Sequence, residues 1–335
     1  MNNRNSYIKK SCYLFSILFL ISTPIVWLSL TEVNYVGDLT RIGKLSEKDF
    51  SSKIMQPTIK KHNFISHPIN QADVLVIGDS FSISLEWQSI MLENGLKPAT
   101  YHWDLTGPVC KNFEEMVALS GFTGKHIIFE VVELGVENKV AESLKCQHTK
   151  KTLPQISTHK KAISEPIPVI NTSGQFAAGI QTKINSLLLN HHHTSWQLLN
   201  KRSKSAYIFP INNGCNLFSH NLCNFGLFYH QDYKKSSVRI ETLQEIRKIN
   251  ARFSKYQVSW LVIPNKSSVY QRNIPLDFWE GIEIGMIGPN LLSNFMMTKT
   301  TIKDLYLPND THLSTSGYLH LGQLMYAFLK MKSAE

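Results

Sequence analysis

Two short stretches near opposite ends of the chain carry residue types that can act together as a nucleophile and its base. One is Gly78-Asp79-Ser80-Phe81, at the end of the apolar run Val74-Leu75-Val76-Ile77; the other is Asn309-Asp310-Thr311-His312. A serine hydroxyl is a weak nucleophile until a base takes its proton, and the base needs a third group to fix its tautomer. Asp310 and His312 are two residues apart, and side chains at that spacing on extended backbone point the same way. The carboxylate can then hold imidazole Nδ1 while Nε2 faces Ser80. Each stretch has a simpler reading by itself: Ser80 as a helix N-cap, and His312 as a satisfied loop histidine. Together, in the order Ser, Asp, His and at the two ends of one α/β pattern, they predict acyl transfer through a serine.

The elements that must position them are legible as alternating strands and helices. Residues 73–77 form a short apolar, β-branched run that stops at Gly78, which predicts a buried strand. Ser80 then falls at a strand's carboxyl end and a helix's amino end, where unpaired N–H groups can hold an oxyanion. A helix is expected over 81–92, with Ile83, Trp87, Ile90 and Met91 on one face and a stop at Asn94-Gly95. Strands are expected at 99–104, 126–132, 258–263, 282–287 and 301–306. Helices are expected at 113–119, 238–253, 276–281 and 289–297, and after Ser314. Lys266 and Tyr270 follow the strand at 258–263, so a parallel sheet would bring them to the edge that carries Ser80. There Lys266 reads as a contact for an acidic substrate or a carbonyl oxygen, or else as a solvated loop lysine.

Gly78-Asp79-Ser80-Phe81 resembles the first block of the SGNH (GDSL-type) hydrolases, and Asp310-Thr311-His312 resembles their last block. The resemblance covers roughly 70–146 and 236–332. It implies a three-layer α/β sandwich with a mainly parallel central sheet, a Ser80–His312–Asp310 triad, and an oxyanion hole built from the Ser80 N–H and a glycine after the second strand, here Gly107. Members usually place the Asp three residues before the His, where this chain has Asn309. The Asp-x-His form is similar to the SGNH-like proteins of alginate O-acetylation (the AlgJ/AlgX group), as are Val262-Ile263-Pro264-Asn265-Lys266-Ser267-Ser268-Val269-Tyr270 and Ile128-Phe129-Glu130-Val131-Val132-Glu133. In those proteins the Asp-x-His block precedes the serine block, the reverse of the order here. The Gly-x-Asn-Asp block expected after the third strand is replaced by Glu133-Leu134-Gly135-Val136. Glu130 and Glu133 therefore read either as groups that orient the site or hold a cation, or as a buried hydrogen-bonded carboxyl and a helix cap.

The remaining sequence bounds the setting. Residues 1–10 are polar with Arg4, Lys9 and Lys10, and 11–30 are uncharged and mostly apolar. Twenty residues at 1.5 Å each span about 30 Å, a bilayer core, so 11–30 predicts a single membrane anchor with a cytoplasmic basic tail. A cleaved signal peptide is the alternative, but no small-x-small cleavage site follows. The rest would then lie outside the cytoplasm, in the periplasm or its equivalent. Residues 31–70 read as a connector, 71–335 as the α/β domain, and 147–236, rich in Lys, Asn, Ser and His, as an insertion within it. With Cys12 in the apolar segment, four cysteines remain; Cys215–Cys223, close in sequence, and Cys110–Cys146 are the favoured disulfides among three possible pairings.

The net charge of +10 suits acidic glycans or lipid surfaces, and no zinc-finger, RNA-binding or Walker motif points to nucleic acid. His191-His192-His193 cannot all face one metal on a helix, so no metal site is expected there. Phe225, Phe228 and Tyr229 read as core residues or as a stacking surface for a sugar. The expected activity is serine-dependent acyl transfer, most simply acetyl, to or from an envelope or exported polysaccharide, without metal or organic cofactor. A membrane protein would deliver the acyl donor. A non-catalytic assembly protein on the same scaffold, and an esterase or lipase, are the alternatives.

Overall fold

The computed structural model describes residues 2–29, 36–159, 176–191, 194–203, 205–233, 238–271 and 273–334. Eight strands follow in chain order: β1 (Ile65–Ser66), β2 (Val74–Gly78), β3 (Pro98–His102), β4 (His126–Val132), β5 (Thr158–His159), β6 (Ala206–Pro210), β7 (Phe225–Tyr229) and β8 (Gln257–Ile263). The central sheet has the order β3-β2-β4-β8, and its pairings are all parallel. β2 is buried along its whole length, as its unbroken apolar run requires of a strand covered on both faces. The chain leaves β2 to one side to form β3, then crosses to the other side to form β4. The carboxyl ends of β2 and β4 thus flank a topological switch point, where open α/β sheets form their crevices.

The strand at 258–263 and the strand at 126–132 stand as the sequence indicates, and the one expected at 99–104 ends two residues earlier. Other expected elements are corrected. The helix over 81–92 is two pieces, Ser80–Ile83 and Gln88–Glu93, because Leu85 takes a left-handed conformation (φ 60°) between them. Residues 282–287 form no strand: they end the helix Asp277–Ile284 and turn at Gly285 and Met286. Residues 301–306 are turns, with only a Tyr306–Leu313 bridge closing the Asp310/His312 loop. Among the described residues the insertion holds the helices Phe176–His191, Ser195–Arg202 and Gly214–Leu217 and an antiparallel β6/β7 hairpin.

Two apolar clusters hold these parts together. The larger packs both faces of the sheet, with Trp87, Phe129 and Trp260 fully buried. The smaller joins Leu39, Leu45 and Phe50 to Leu189, Ala206, Ile208 and Leu227, so residues 36–50 and the insertion share one core. Cys110 is bonded to Cys146 and Cys215 to Cys223, as the spacing suggested, and Cys12 is free. The N-terminal helix Asn2–Ser29 contains an apolar stretch, Ser6–Val26, that is long enough to cross a membrane and has none of its residues buried.

Candidate active site

Ser80 is aimed by a network under the β2 turn. Asp79 caps the following helix, its Oδ1 accepting the Phe81 N–H at 2.9 Å and its Oδ2 the Val132 N–H at 3.3 Å. Beneath it Glu130, fully buried in β4, accepts the Asp79 N–H at 2.9 Å and the Ser82 hydroxyl at 2.7 Å through one oxygen. Gly78 makes this possible, since a Cβ there would collide with that same Glu130 oxygen and with Ser82 Oγ. Burial, reinforced by the Asp79 charge, pushes the Glu130 carboxyl well above the ordinary range and so favours its neutral form. Glu130 is therefore a hydrogen-bonded interior group. Glu133 does not cap its helix in the expected way: its Oε2 accepts the Asn265 N–H at 2.8 Å, tying the ends of β4 and β8 together.

The Asp310/His312 loop meets the serine. His312 Nε2 lies 2.8 Å from Ser80 Oγ, and Nδ1 lies 2.7 Å from Asp310 Oδ1. The carboxylate fixes the proton on Nδ1, which leaves Nε2 as the acceptor for the serine proton. Asp310 Oδ1 also takes the His312 N–H at 3.0 Å, and Oδ2 takes the Asp38 N–H at 3.0 Å. Burial acts most strongly on both groups, raising Asp310 and lowering His312. Their mutual hydrogen bond and charge outweigh it, so Asp310 is held well below the usual carboxylate range and His312 above 6.5. Phe81 packs on the imidazole at 4.7 Å between ring centroids and limits its rotation.

Three residues expected at the site play other parts. The Gly107 N–H is given to Trp103 O at 2.7 Å, where Gly107 (φ 72°) closes a helical turn; that N–H is not available to an oxyanion. Lys266 is 2 % exposed, and its ammonium donates to the carbonyls of Leu307, Pro308 and Asp310 at 2.7–3.0 Å. It clamps the Asp310/His312 loop from below, and Lys266 also lines the cavity over Ser80. Burial draws its pKa down to about 7, against the pull of Asp310, Asp304 and Asp232. Tyr270 is also in the core, its hydroxyl accepting the Tyr306 N–H, and burial raises its pKa.

Residues 36–50, expected to be a connector without chemistry, supply the loop's outer brace. Leu39 N–H and Thr40 N–H donate to Asn309 O, and Glu47 Oε2 accepts the Asn309 amide at 2.7 Å. Gly37 lies against Asn309 so closely that a Cβ would overlap its carbonyl. Nothing in the local sequence signals these contacts, which join positions far apart in the chain. Asp38, Asp310 and His312 also offer three ligand-type atoms within 4.8 Å of one another, but the hydrogen bonds just described account for both carboxylate oxygens of Asp310. Of the histidine tract, His191 is exposed, and His192 and His193 lie outside the described residues.

A cavity of about 460 Å³ opens over Ser80 and His312. Its walls come from the carboxyl ends of all four central strands and from the helix Asp38–Gly43: His102, Val132, Leu134 and Asn265 on one side, Arg41 and Ile42 on the other. Tyr229 of the insertion also lines it, whereas Phe228 is buried in the core. The Ser80 N–H, at the first residue of its helix, faces no backbone acceptor within that helix. Such an arrangement can remove a proton from Ser80, hold the resulting charge on His312, and return the proton to a leaving group. No protein-family profile, no curated protein and no solved structure matches the chain.

Proposed function

We propose that this protein is an SGNH-type acyltransferase or esterase that moves an acyl group, most simply acetyl, to or from a polysaccharide outside the cytoplasm. The observation that carries the reading is the unbroken relay Ser80 Oγ–His312 Nε2, His312 Nδ1–Asp310 Oδ1 at 2.8 and 2.7 Å at the floor of an open cavity. His312 takes the Ser80 proton as Oγ attacks the ester carbonyl. The oxyanion forms against the Ser80 N–H, with the Asn265 side-chain amide on the cavity wall as the second donor in place of Gly107. His312 then protonates the departing alkoxide and leaves an acyl-serine. Water or a sugar hydroxyl, deprotonated by His312, attacks that ester; the acyl group leaves with it and Ser80 regains its proton. Water makes the protein an esterase, and a sugar hydroxyl makes it a transferase.

The setting supports an extracytoplasmic role. The Ser6–Val26 segment follows Arg4 and has no buried residue, as a single anchor with its basic end in the cytoplasm would. Two disulfides suit an oxidising compartment on the other side. A membrane protein is the natural source of the acyl donor for a chain held at that surface.

The test is p-nitrophenyl acetate turnover by the full chain in detergent micelles, beside Ser80→Ala and His312→Ala. A burst and turnover lost in both variants are expected; oligosaccharide acceptors added next sort transferase from esterase. Equal release by all three folded proteins overturns the reading.

A further inference from the structure

A second concavity, about 610 Å³, lies in the insertion between the helix Ser195–Arg202 and β6. Alternation along β6 explains its chemistry. Ala206 and Ile208 point into the smaller core, which leaves Tyr207 and Phe209 half-buried on the opposite face of an edge strand. Trp196 meets Phe209 there at 5.7 Å between ring centroids, and Tyr207 meets Phe209 at 6.0 Å. The rim is polar: Gln197 and Lys201 are exposed and make no side-chain hydrogen bond to the described residues. Asn200 is instead used to fix the groove, both ends of its amide binding the Ile208 backbone at 2.8 and 2.9 Å. Among the described residues no carboxylate lines this surface.

This concavity neighbours the cavity over Ser80 without opening into it. A third hollow, about 260 Å³, shares Ile42 with the Ser80 cavity and Ser203 with the aromatic groove. On the other flank Tyr229 lines the Ser80 cavity, His230 lines the groove, and their rings stand 5.2 Å apart. A string of rings with amide and ammonium groups beside them suits a ligand that has apolar C–H faces and a hydroxyl periphery. A lipid chain would leave the polar rim unmatched.

We infer that the Trp196–Tyr207–Phe209 groove is an oligosaccharide-binding subsite that holds the polymer while one of its residues lies at Ser80. The inference rests on the acyl-transfer reading for its purpose and on the groove itself for its chemistry. The sugar rings stack on Trp196 and Phe209, and Gln197 and Lys201 meet hydroxyl or carboxylate groups at the rim.

The test uses the full chain carrying Ser80→Ala, in micelles, so that no reaction accompanies binding. It is titrated calorimetrically with a panel of neutral and uronic-acid hexasaccharides. At least one member binds, and Trp196→Ala weakens that binding by about tenfold or more, the loss expected of one stacking ring. Gln197→Trp, an exposed change that fills the groove without opening the core, weakens it as well. Failure of every hexasaccharide to bind, or binding undiminished in both variants, overturns the proposal. The outcome is separable from that for the acyl-enzyme. An inactive wild type that still binds sugar through Trp196 removes only the chemistry, and an active one that binds no sugar removes only the groove.

Discussion

Replacing Asp310 with Asn keeps the shape of the loop and tests the relay by its hydrogen-bond logic. The Asp310 carboxylate accepts from four donors: His312 Nδ1–H, the His312 N–H, the Asp38 N–H and, at 3.5 Å, the Thr311 hydroxyl. An asparagine has one acceptor oxygen and one NH2. With the oxygen toward His312, the NH2 faces the Asp38 N–H, donor against donor. With the NH2 toward His312, the imidazole must put its proton on Nε2 and can no longer accept one from Ser80. The variant also loses the charge that stabilises the imidazolium. His312 and Asp310 keep 25 % and 14 % of their side-chain exposure, so an effective dielectric near 20 is appropriate. At about 4 Å between charge centres that interaction is worth about 4 kcal/mol. At 1.36 kcal/mol per decade the acylation rate falls about a thousandfold. Stopped-flow release of p-nitrophenolate measures it, with circular dichroism to show the fold intact. A folded Asp310→Asn protein within about tenfold of wild type, while Ser80→Ala is dead, refutes the argument, because the carboxylate would then be doing no more than a neutral group can.

Two further outcomes follow from the same geometry. Because His312 must be neutral to act as base and its pKa stands above 6.5, acylation rises with pH through a midpoint above that value and is lost below it; a midpoint at or under 6.5 in the pH–rate profile of acylation contradicts the Asp310 pairing. Lys266→Met removes the donor to three carbonyls and leaves the buried one, Pro308, unsatisfied at about 1–3 kcal/mol, so urea denaturation should find the variant less stable by about that much or more and its turnover reduced through a loosened His312 loop. Turnover unchanged in a folded Lys266→Met protein would mean that the loop holds its shape without the clamp.

Local sequence determined the parts of this protein whose causes are local. The run 74–77 had to be a strand because its residues are apolar and branched, and Gly78 had to end it because nothing larger fits above Glu130. Asp310 and His312 share one side of a loop because they are two residues apart. The two disulfides were legible because four cysteines outside the apolar segment left few pairings. Elements whose type depends on what covers them were not legible. Residues 282–287 and 301–306 have strand-like composition but form no strand; only Ile287, accepting the Trp260 N–H at 2.8 Å, bonds to the edge of β8. The edge strand β6 was hidden because its outward residues are aromatic, so the polar half of the usual alternation is missing.

The tertiary structure alone decided what each polar side chain does at the site. Lys266 sits at a strand's carboxyl end, as the order of residues implied, yet its ammonium turns inward because three carbonyls await it there. Gly107 has the backbone freedom of an oxyanion glycine but gives its N–H to its own helix. The brace from 36–50 joins segments far apart in the chain, and no local pattern encodes a contact of that range. A sequence specifies which groups can do chemistry; which of them face one another is a property of the packed whole, where each buried donor must find its acceptor.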